Sequence, residues 1–148
     1  MSRAYKRPES VLVVIYSVSG EVLLLERCQP AGYWQSVTGS LERAESARDA
    51  AIREVKEETG LQVQENLVDC ACSNRFEIIP AWRARYAPDV NWNTEHVFRV
   101  ELASTDPINI SAAEHVQAEW VPAQQVAERV VSHTNRAAIE RYVGVWVI

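Results

Sequence analysis

The stretch Gly39–Leu61, GSLERAESARDAAIREVKEETGL, contains the clearest helix of the chain and its most informative charges. Ser46 is a favoured N-cap residue, and Asp49 follows three positions later in the manner of a capping box. Apolar residues then recur every three to four positions, which predicts a helix from Ser46 to about Glu58. Gly60 is the residue type that ends such a helix.

Three carboxylates share one face of this predicted helix. Glu54, Glu57 and Glu58 stand at i, i+3 and i+4, where like charges repel and raise one another's pKa values. A hard divalent cation removes both penalties, and carboxylate oxygens are preferred ligands of Mg²⁺ and Mn²⁺. The face therefore predicts a metal site suited to phosphoryl chemistry. The alternative is a solvated acidic surface with ordinary ion pairs, such as Arg53 with Glu57.

The residues around these carboxylates follow one long spacing pattern. It resembles the Nudix box, G-x5-E-x7-R-E-U-x-E-E-x-G-U, in which U is a bulky aliphatic residue. The fixed positions are occupied by Gly39, Glu45, Arg53, Glu54, Glu57, Glu58 and Gly60, with Val55 and Leu61 as the aliphatic residues. Because every fixed position matches, the segment is identified as similar to the Nudix hydrolases.

The resemblance implies an α/β fold: an α/β/α sandwich with a central mixed β-sheet and a loop–helix–loop catalytic motif. It also implies a reaction, the attack of water on a diphosphate that is linked to another group. We expect residues 1–148 to form a single Nudix domain, because no linker or repeat interrupts the chain.

The box also implies a role for each matched residue. Glu54 and Glu58 correspond to the principal metal ligands, and Glu57 to a carboxylate that contributes directly or through water. Arg53 and Glu45 correspond to a pair that orients these ligands. Gly39 is expected to make a tight turn and to offer a backbone carbonyl to the metal. The general base stays open between Glu57, a carboxylate outside the box, and a metal-bound hydroxide.

Short motifs outside the box extend the resemblance over most of the chain. They are similar to a bacterial branch of the family that acts on dihydroneopterin triphosphate in folate biosynthesis, releasing pyrophosphate and leaving the monophosphate. The motifs are Tyr5–Pro8, Trp34–Ser40, Arg85–Pro88, Asn93–Glu95, Glu114–His115 and Asn135–Arg136. This branch implies a further metal ligand, matched by Glu114, whereas His115 is expected to be structural. The alternative substrate is a nucleoside triphosphate such as dATP.

Four further residues are predicted substrate contacts. Lys6 and Arg27 adjoin predicted strands and are local cations for phosphate, unless they only face water. Thr38 either contacts substrate or satisfies a strand edge, and Ser132 either contacts substrate or caps the last helix. A planar ring favours an aromatic platform. The candidates for that platform are Trp34, Phe76, Tyr86 and Trp92.

The rest of the sequence predicts strands with a few interspersed helices. Apolar, β-branched runs predict strands at Ser10–Tyr16, Val22–Leu25, Tyr33–Val37, Val63–Cys72, Arg75–Ile79, Glu95–Leu102 and Gln117–Val121. Loops are expected at 29–33 and 85–93. A helix is expected from Pro122 to about Val131. The buried stripe of a last helix is predicted from Ala138, Ile139, Tyr142, Val143 and Trp146.

Composition limits the classes of partner. The net charge is −5, which argues against a general nucleic-acid binder and requires local cations to hold a polyanionic, small-molecule triphosphate. No apolar run reaches the length of a membrane span, and no signal peptide is expected, so a cytoplasmic location without a membrane partner follows. A non-catalytic Nudix-fold module is the other class of function, but it would be free to lose the box carboxylates. The oligomeric state, the number of metal ions and the phosphorus attacked do not follow from the sequence.

Overall fold

A mixed β-sheet forms the centre of the protein, whose computed structural model describes residues 5–143. Its strands are β1 (Glu9–Ser17), β2 (Glu21–Arg27), β3 (Trp34–Gln35), β4 (Val37–Ser40), β5 (Leu67–Glu77), β6 (Trp92–Leu102) and β7 (His115–Pro122). The α-helices are α1 (Ala47–Thr59) and α2 (His133–Tyr142), and short 3₁₀ helices span Pro80–Arg85 and Ala123–Glu128. Within the described range, no helix has the length and apolar character that crossing a membrane requires.

The strand order places β1 in the middle of the sheet. The order is β3-β2-β1-β6-β5, and β1 and β6 run parallel to one another. Along its other edge β1 pairs with β4 over Ser10–Val13 and with β2 near Tyr16. The sheet is completed by β7, which pairs with β2. Strand β4 therefore borders only the first half of β1.

The apolar run of β1 is buried on both faces of the sheet, as expected for a central strand with parallel pairing. Val11, Val13 and Ile15 pack in the same cluster as the apolar face of α1. Leu12, Val14 and Tyr16, which alternate with them, pack in a second cluster with α2. One helix covers each face, so the α/β/α sandwich predicted from the sequence is confirmed.

Helix α1 has the boundaries that its local sequence predicts. Ser46 is its N-cap, and the Ser46 Oγ accepts a hydrogen bond from the Asp49 amide at 3.1 Å. Gly60 is the C-cap with φ +78°, a conformation that glycine adopts without steric cost. The helix buries Ala50, Ala51 and Val55 together with two carboxylates that are described below.

The strand predicted at Tyr33–Val37 is interrupted in the structure. Trp34–Gln35 pairs with β2, whereas Val37–Ser40 pairs with β1. Between them, the Ser36 amide donates to Asn135 Oδ1 at 2.9 Å, and Asn135 Nδ2 donates to Ser36 Oγ at the same distance. A side chain of α2 thus replaces the sheet partner of Ser36, which sequence alone does not reveal.

The separate strands predicted at Val63–Cys72 and Arg75–Ile79 are in fact one strand, β5. Its pairing with β6 shifts register between Asp69 and Ser73, where Ala71 has φ +53° and donates its amide to Asp69 Oδ1. The sequence around this irregularity is typical of a strand end, but β5 pairs with β6 again from Ser73 onwards. Cys70 and Cys72 both pack against the cluster on the α2 side.

The C-terminal third differs from the prediction mainly in helix type. Pro122 is the last residue of β7, and the following 3₁₀ helix ends at Glu128, short of the expected Val131. The predicted loop 85–93 is preceded by the 3₁₀ helix Pro80–Arg85 and ends where β6 begins at Trp92. In α2, Ala138 and Ile139 are buried as predicted, and Val143 is buried just beyond it. Trp146 lies outside the described residues.

Candidate active site

One large cavity of about 1250 Å³ opens around strand β4 and reaches both faces of the sheet. Gly39 of β4 pairs with Val11 and contacts α1, so it belongs to the α1 face. Its neighbour Ser40 pairs with Ser10, which in turn pairs with Glu95 of β6. Because successive strand residues point to opposite faces, Ser10 and Glu95 belong to the α2 face. The cavity is lined by residues from both sides.

On the α1 side, Glu54 and Glu57 of the helix line the cavity, and the Glu58 carboxyl is adjacent to that of Glu54. Glu54 and Glu58 are buried, with 8% and 1% of their surfaces exposed, whereas Glu57 is exposed on the same helix. A Cβ built on Gly39 would lie 2.1 Å from Glu54 Cδ, so only glycine allows the helix to approach β4. The prediction of a tight turn at Gly39 is therefore wrong, because Gly39 is an ordinary residue of strand β4. The close approach of Glu54 explains why this position is glycine.

The Glu58 carboxylate is the most unusual polar group in the site. Both of its oxygens are buried without a hydrogen-bond donor among the described residues. The His115 Nε2 lies 3.4 Å from Glu58 Oε1, but burial lowers the pKa of His115 and favours the neutral ring. Burial raises the pKa of Glu58 well above its usual range, and the adjacent Glu54 carboxyl raises it further. A bound cation would satisfy both oxygens and reverse this pKa shift.

The residues present fit a hard divalent metal ion. Ligand atoms of Glu58, Glu114 and His115 lie within 4.8 Å of one another. Burial also raises the pKa of Glu54, although hydrogen bonds with the Glu58 carboxyl and the Arg53 guanidinium partly oppose the rise. Carboxylate oxygens suit Mg²⁺ or Mn²⁺ better than an imidazole nitrogen does, so the glutamates are the fitting donors.

Arg53 connects the helix to the loop that precedes it. Its Nε and Nη2 donate to the two oxygens of Glu45 at 2.9 and 2.8 Å, and Nη2 also donates to the Ser40 carbonyl at 3.0 Å. Its Nη1 donates to Glu54 Oε1 at 2.8 Å and, more weakly, to Glu57 at 3.4 Å. The hydrogen bonds from Arg53 lower the pKa of Glu45. Arg53 therefore holds one oxygen of Glu54 in place, rather than making a simple i, i+4 pair.

Three of the predicted substrate contacts line the cavity. Lys6 lies near Glu54 and Glu114, and desolvation, followed by the charges of Arg85 and Arg27, lowers the pKa of Lys6. Arg27 donates its Nε to the Gln29 carbonyl at 2.8 Å and places its guanidinium 5.7 Å from the ring centre of Trp82. Thr38 also lines the cavity, while its Oγ1 donates to the Val11 carbonyl at 2.9 Å.

Ser132, the fourth predicted contact, is not among the described residues that line the cavity. It is the N-cap of α2, and its Oγ accepts from the Asn135 amide at 3.3 Å. The same oxygen lies 3.0 Å from Thr134 Oγ1, and Thr134 hydrogen-bonds Glu95. Ser132 thus occupies the capping position weighed as its alternative role.

The aromatic residues of the cavity differ in part from those predicted. Phe76 and Tyr86 line it, and so does Trp82, which the sequence did not single out because it lies in an unpredicted 3₁₀ helix. Trp34 instead stacks with Arg129, 4.3 Å from ring centre to guanidinium carbon. Trp92 stacks with Arg75 at 4.9 Å and is 45% exposed. The platform expectation therefore fails for Trp34 and Trp92.

The cavity also contains polar residues for which the sequence suggested no role. Asn93 and Glu95 of β6 are both buried, and they belong to a quoted motif without an assigned chemistry. Burial raises the pKa of Glu95, although hydrogen bonds from Asn74 and Thr134 partly oppose the rise. Acidic side chains are rarely buried in a strand without a partner or a function, and strand alternation places Glu95 beside Asn93.

Comparisons with known proteins agree with this geometry. A family model described as the NUDIX domain matches residues 6–142. The chain is 44% identical over 145 residues to dihydroneopterin triphosphate diphosphatase of Escherichia coli K12, covering 95% of each chain. It is 41% identical to the Haemophilus influenzae enzyme of the same name, covering 93% of this chain and 89% of that one.

Solved structures of Nudix hydrolases have the same fold. The structure of the E. coli dihydroneopterin triphosphate pyrophosphohydrolase superposes with a TM-score of 0.88 at 44% identity, covering 95% of this chain and 98% of that one. The fold is shared more widely, since a Listeria monocytogenes protein described as a Nudix hydrolase superposes with a TM-score of 0.75 at 23% identity, covering 90% of both chains. With the matched family model and these relatives, the chain belongs to the Nudix hydrolase family.

Proposed function

We propose that this protein catalyses the Mg²⁺-dependent hydrolysis of dihydroneopterin triphosphate to dihydroneopterin monophosphate and pyrophosphate. The observation that carries the proposal is one cavity that joins the box carboxylates Glu54 and Glu57 on one side of β4 to aromatic and polar residues on the other. A substrate with a ring linked to a triphosphate also has two parts: an anionic part for a metal site and a planar part for aromatic and polar residues. The relatives that are 41–44% identical over most of the chain are named for dihydroneopterin triphosphate, which supports a pterin as the ring of the substrate.

The proposed metal ligands are Glu54, Glu58 and Glu114, with Glu57 contributing directly or through water. The support is the pair of Glu58 oxygens that lack a donor and the closeness of Glu114 to Glu58. When bound, Mg²⁺, or Mn²⁺ in its place, supplies positive charge that offsets the charge of the phosphates and lowers the pKa of water. The glutamates provide the converging oxygens, and the two oxygens of Glu58 are buried away from competing donors.

The remaining box residues have positioning and proton-transfer roles in this proposal. Arg53, held by both oxygens of Glu45, fixes the Glu54 carboxylate against β4. Glu57 is the exposed carboxylate of the set and lines the cavity, which leaves it accessible to a water molecule. We assign Glu57 the role of accepting the proton from the attacking water. Gly39 allows the close approach on which this arrangement depends.

The cations at the cavity are the proposed phosphate contacts. Lys6 lies near Glu54 and Glu114, and Arg27 lies near Glu58, so both cations are close to the proposed metal ligands that the phosphates must approach. Thr38 is a proposed contact from the cavity wall. Ser132, predicted from the sequence as a substrate contact, is proposed here only as a positioning residue, because Thr134 bonds both Ser132 and the cavity residue Glu95.

The proposed setting of the protein is the cytoplasm, where it acts as a single domain. The family model spans residues 6–142, which supports one Nudix domain over residues 1–148. Cys28, Cys70 and Cys72 are free thiols in the structure, as is usual in a reducing compartment, and this supports the cytoplasm. A small triphosphate is the proposed partner, with no role for nucleic acid or membrane.

Substrate competition tests the function. We expect kcat/KM for dihydroneopterin triphosphate with Mg²⁺ to exceed that for dATP by more than tenfold, and Glu54→Gln and Glu58→Gln to abolish turnover of both. Hydrolysis in ¹⁸O-labelled water then reports which phosphorus receives the oxygen, since label appears either in the monophosphate or in pyrophosphate. A tenfold preference for dATP would instead favour a general nucleoside triphosphate pyrophosphohydrolase. Full turnover in both variants would exclude the metal site.

A further inference from the structure

The far wall of the cavity, on the α2 side of the sheet, contains two buried hydrogen-bonding side chains beside each other on β6. Asn93 and Glu95 are 2% and 6% exposed and are separated by one residue, so they point to the same face. Phe76 and Asn74 of β5 pair with them across the sheet, and Phe76 also lines the cavity. A carboxylate, an amide and an aromatic ring therefore converge at this wall.

The hydrogen bonds of these residues hold them in place while leaving acceptors unused. Asn93 Nδ2 donates to Ser10 Oγ at 2.8 Å, and its Oδ1 has no hydrogen-bond partner among the described residues. Asn74 Nδ2 donates to Glu95 Oε1 at 3.2 Å, and Thr134 of α2 also bonds Glu95. A carboxylate offers about four acceptor positions, so two contacts leave Glu95 able to accept more.

Within residues 5–143, no nearby lysine or arginine compensates the charge of the buried Glu95 carboxylate. The metal-site glutamates belong to the α1 side, and the Arg53 guanidinium is occupied by Glu45 and Glu54. No Lys or Arg in the described residues forms an ion pair with Glu95; its ionisable neighbours include His133 and Tyr33. A buried carboxylate that lines a cavity without a cation is costly unless a ligand supplies donors.

We propose that Glu95, assisted by Asn93, recognises the ring of the substrate by accepting hydrogen bonds from a 2-amino-4-oxopyrimidine edge. This edge, which pterin and guanine share, presents a ring N–H beside a 2-amino group, and a carboxylate accepts from both at once. The unused Asn93 Oδ1 is positioned for the second hydrogen of the amino group. Adenine presents an acceptor beside its amino group, which faces the carboxylate with unfavourable lone-pair repulsion.

This inference rests on the proposed function for its pterin substrate, and it explains how the site selects against dATP. It assigns the phosphates to the α1 side and the ring to the α2 side, with β4 between them. Glu95 is then a specificity-determining residue that contacts the substrate and takes no part in breaking the phosphoanhydride.

The variant Glu95→Gln tests the inference because glutamine keeps the size of the side chain but offers one acceptor and one donor. We expect kcat/KM for dihydroneopterin triphosphate and for dGTP to fall by about 10- to 100-fold, chiefly through KM. For dATP we expect no fall, because the amide matches the adenine edge. Glu101→Gln, an exposed position on the same strand, is the matched control and leaves all three values unchanged.

A binding measurement without turnover makes the test independent of the metal. Neopterin monophosphate is fluorescent, and its quenching in the presence of EDTA reports ring binding alone. We expect Glu95→Gln to weaken this binding by the same factor as KM, with a melting temperature close to that of the wild type. An equal loss for dGTP and dATP, or unchanged neopterin binding, would overturn the role of Glu95.

The nucleotide pair separates failure of this inference from failure of the proposed function. If the wild type prefers dATP to dihydroneopterin triphosphate, the proposed substrate is wrong. A preference for dGTP over dATP that Glu95→Gln abolishes would still support ring reading by Glu95. If the wild type prefers the pterin substrate and Glu95→Gln preserves that preference, the function stands and the inference is refuted.

Discussion

Gly39 of β4 and Glu54 of α1 lie so close that a Cβ on the glycine would stand 2.1 Å from the Cδ of the glutamate. The contact joins a strand of the central sheet to the helix that carries the proposed metal ligands. It also determines where the Glu54 carboxylate lies relative to the cavity. The most direct prediction follows from this contact.

We expect Gly39→Ala to lower kcat by about 100-fold, because a displacement of roughly 1 Å at a reacting group has a cost of that order. The added methyl group must push the Glu54 carboxylate or the helix away from β4. Steady-state kinetics and a Mg²⁺ titration measure the effect. Gly20→Ala is the control: Gly20 has φ +88° and nothing within 4 Å, so this variant loses about 1 kcal/mol of stability but keeps its Mg²⁺ affinity.

Arg53→Lys tests the link between the loop and the helix. Lysine cannot donate to both oxygens of Glu45 while also reaching Glu54 and the Ser40 carbonyl. We expect a 10- to 100-fold loss in kcat or metal affinity, the usual effect of removing a group that orients metal ligands. Arg48→Lys on the same helix, where the arginine contacts only carbonyls of a loop and β5, should retain activity. Equal activity of both variants would contradict the positioning role.

The buried Glu58 makes the stability of the metal-free protein depend on pH. Its pKa is raised in the folded state by burial and by Glu54, so the native state binds more protons than the unfolded state above the usual glutamate pKa. The contribution of Glu58 to the free energy of unfolding is therefore fully present at low pH. It is lost as pH rises from about 5 towards the raised pKa. We expect the melting temperature in EDTA to fall over this range.

Mg²⁺ should restore that lost stability, since it binds the native carboxylates and not the unfolded chain. The predicted increase in melting temperature is therefore larger at pH 8 than at pH 5. In Glu58→Gln, both the pH-dependent loss and most of the response to Mg²⁺ should disappear. Glu140→Gln, exposed on α2, should behave as the wild type. A response to Mg²⁺ that is the same in Glu58→Gln would argue against ligation by Glu58.

Lysine occurs at two positions, and they form a natural comparison for phosphate binding. Lys6 lines the cavity near Glu54 and Glu114, whereas Lys56 is exposed on the far part of α1 and does not line it. We expect Lys6→Gln to raise KM for the triphosphate about tenfold with a smaller effect on kcat, because a charge-assisted hydrogen bond is lost. Lys56→Gln should have the kinetics of the wild type. Similar KM values for the two variants would remove Lys6 from the site.

Local signals explain what the sequence could predict correctly. The boundaries of α1 depend on Ser46 and Gly60, which act on the backbone next to them, and both were identified. Local patterns do not predict the structure where a residue distant in the chain provides the hydrogen-bond partner. Ser36 leaves the sheet because Asn135 bonds it, and β5 stays one strand because β6 pairs with it on both sides of Ala71.

The sequence by itself determined the chemistry of the α1 side, because the spacing along one helix already places Glu54, Glu57 and Glu58 on one face. Only the tertiary structure decided that Gly39 is required by close approach, that Trp82 rather than Trp34 or Trp92 lines the cavity, and that Glu95 faces it. These facts depend on strand register, which pairs Ser10 with Ser40, 30 residues away, and with Glu95, 85 residues away. Helix periodicity is local, whereas register is set by packing between distant segments, and the ring-binding side of the site depends on register.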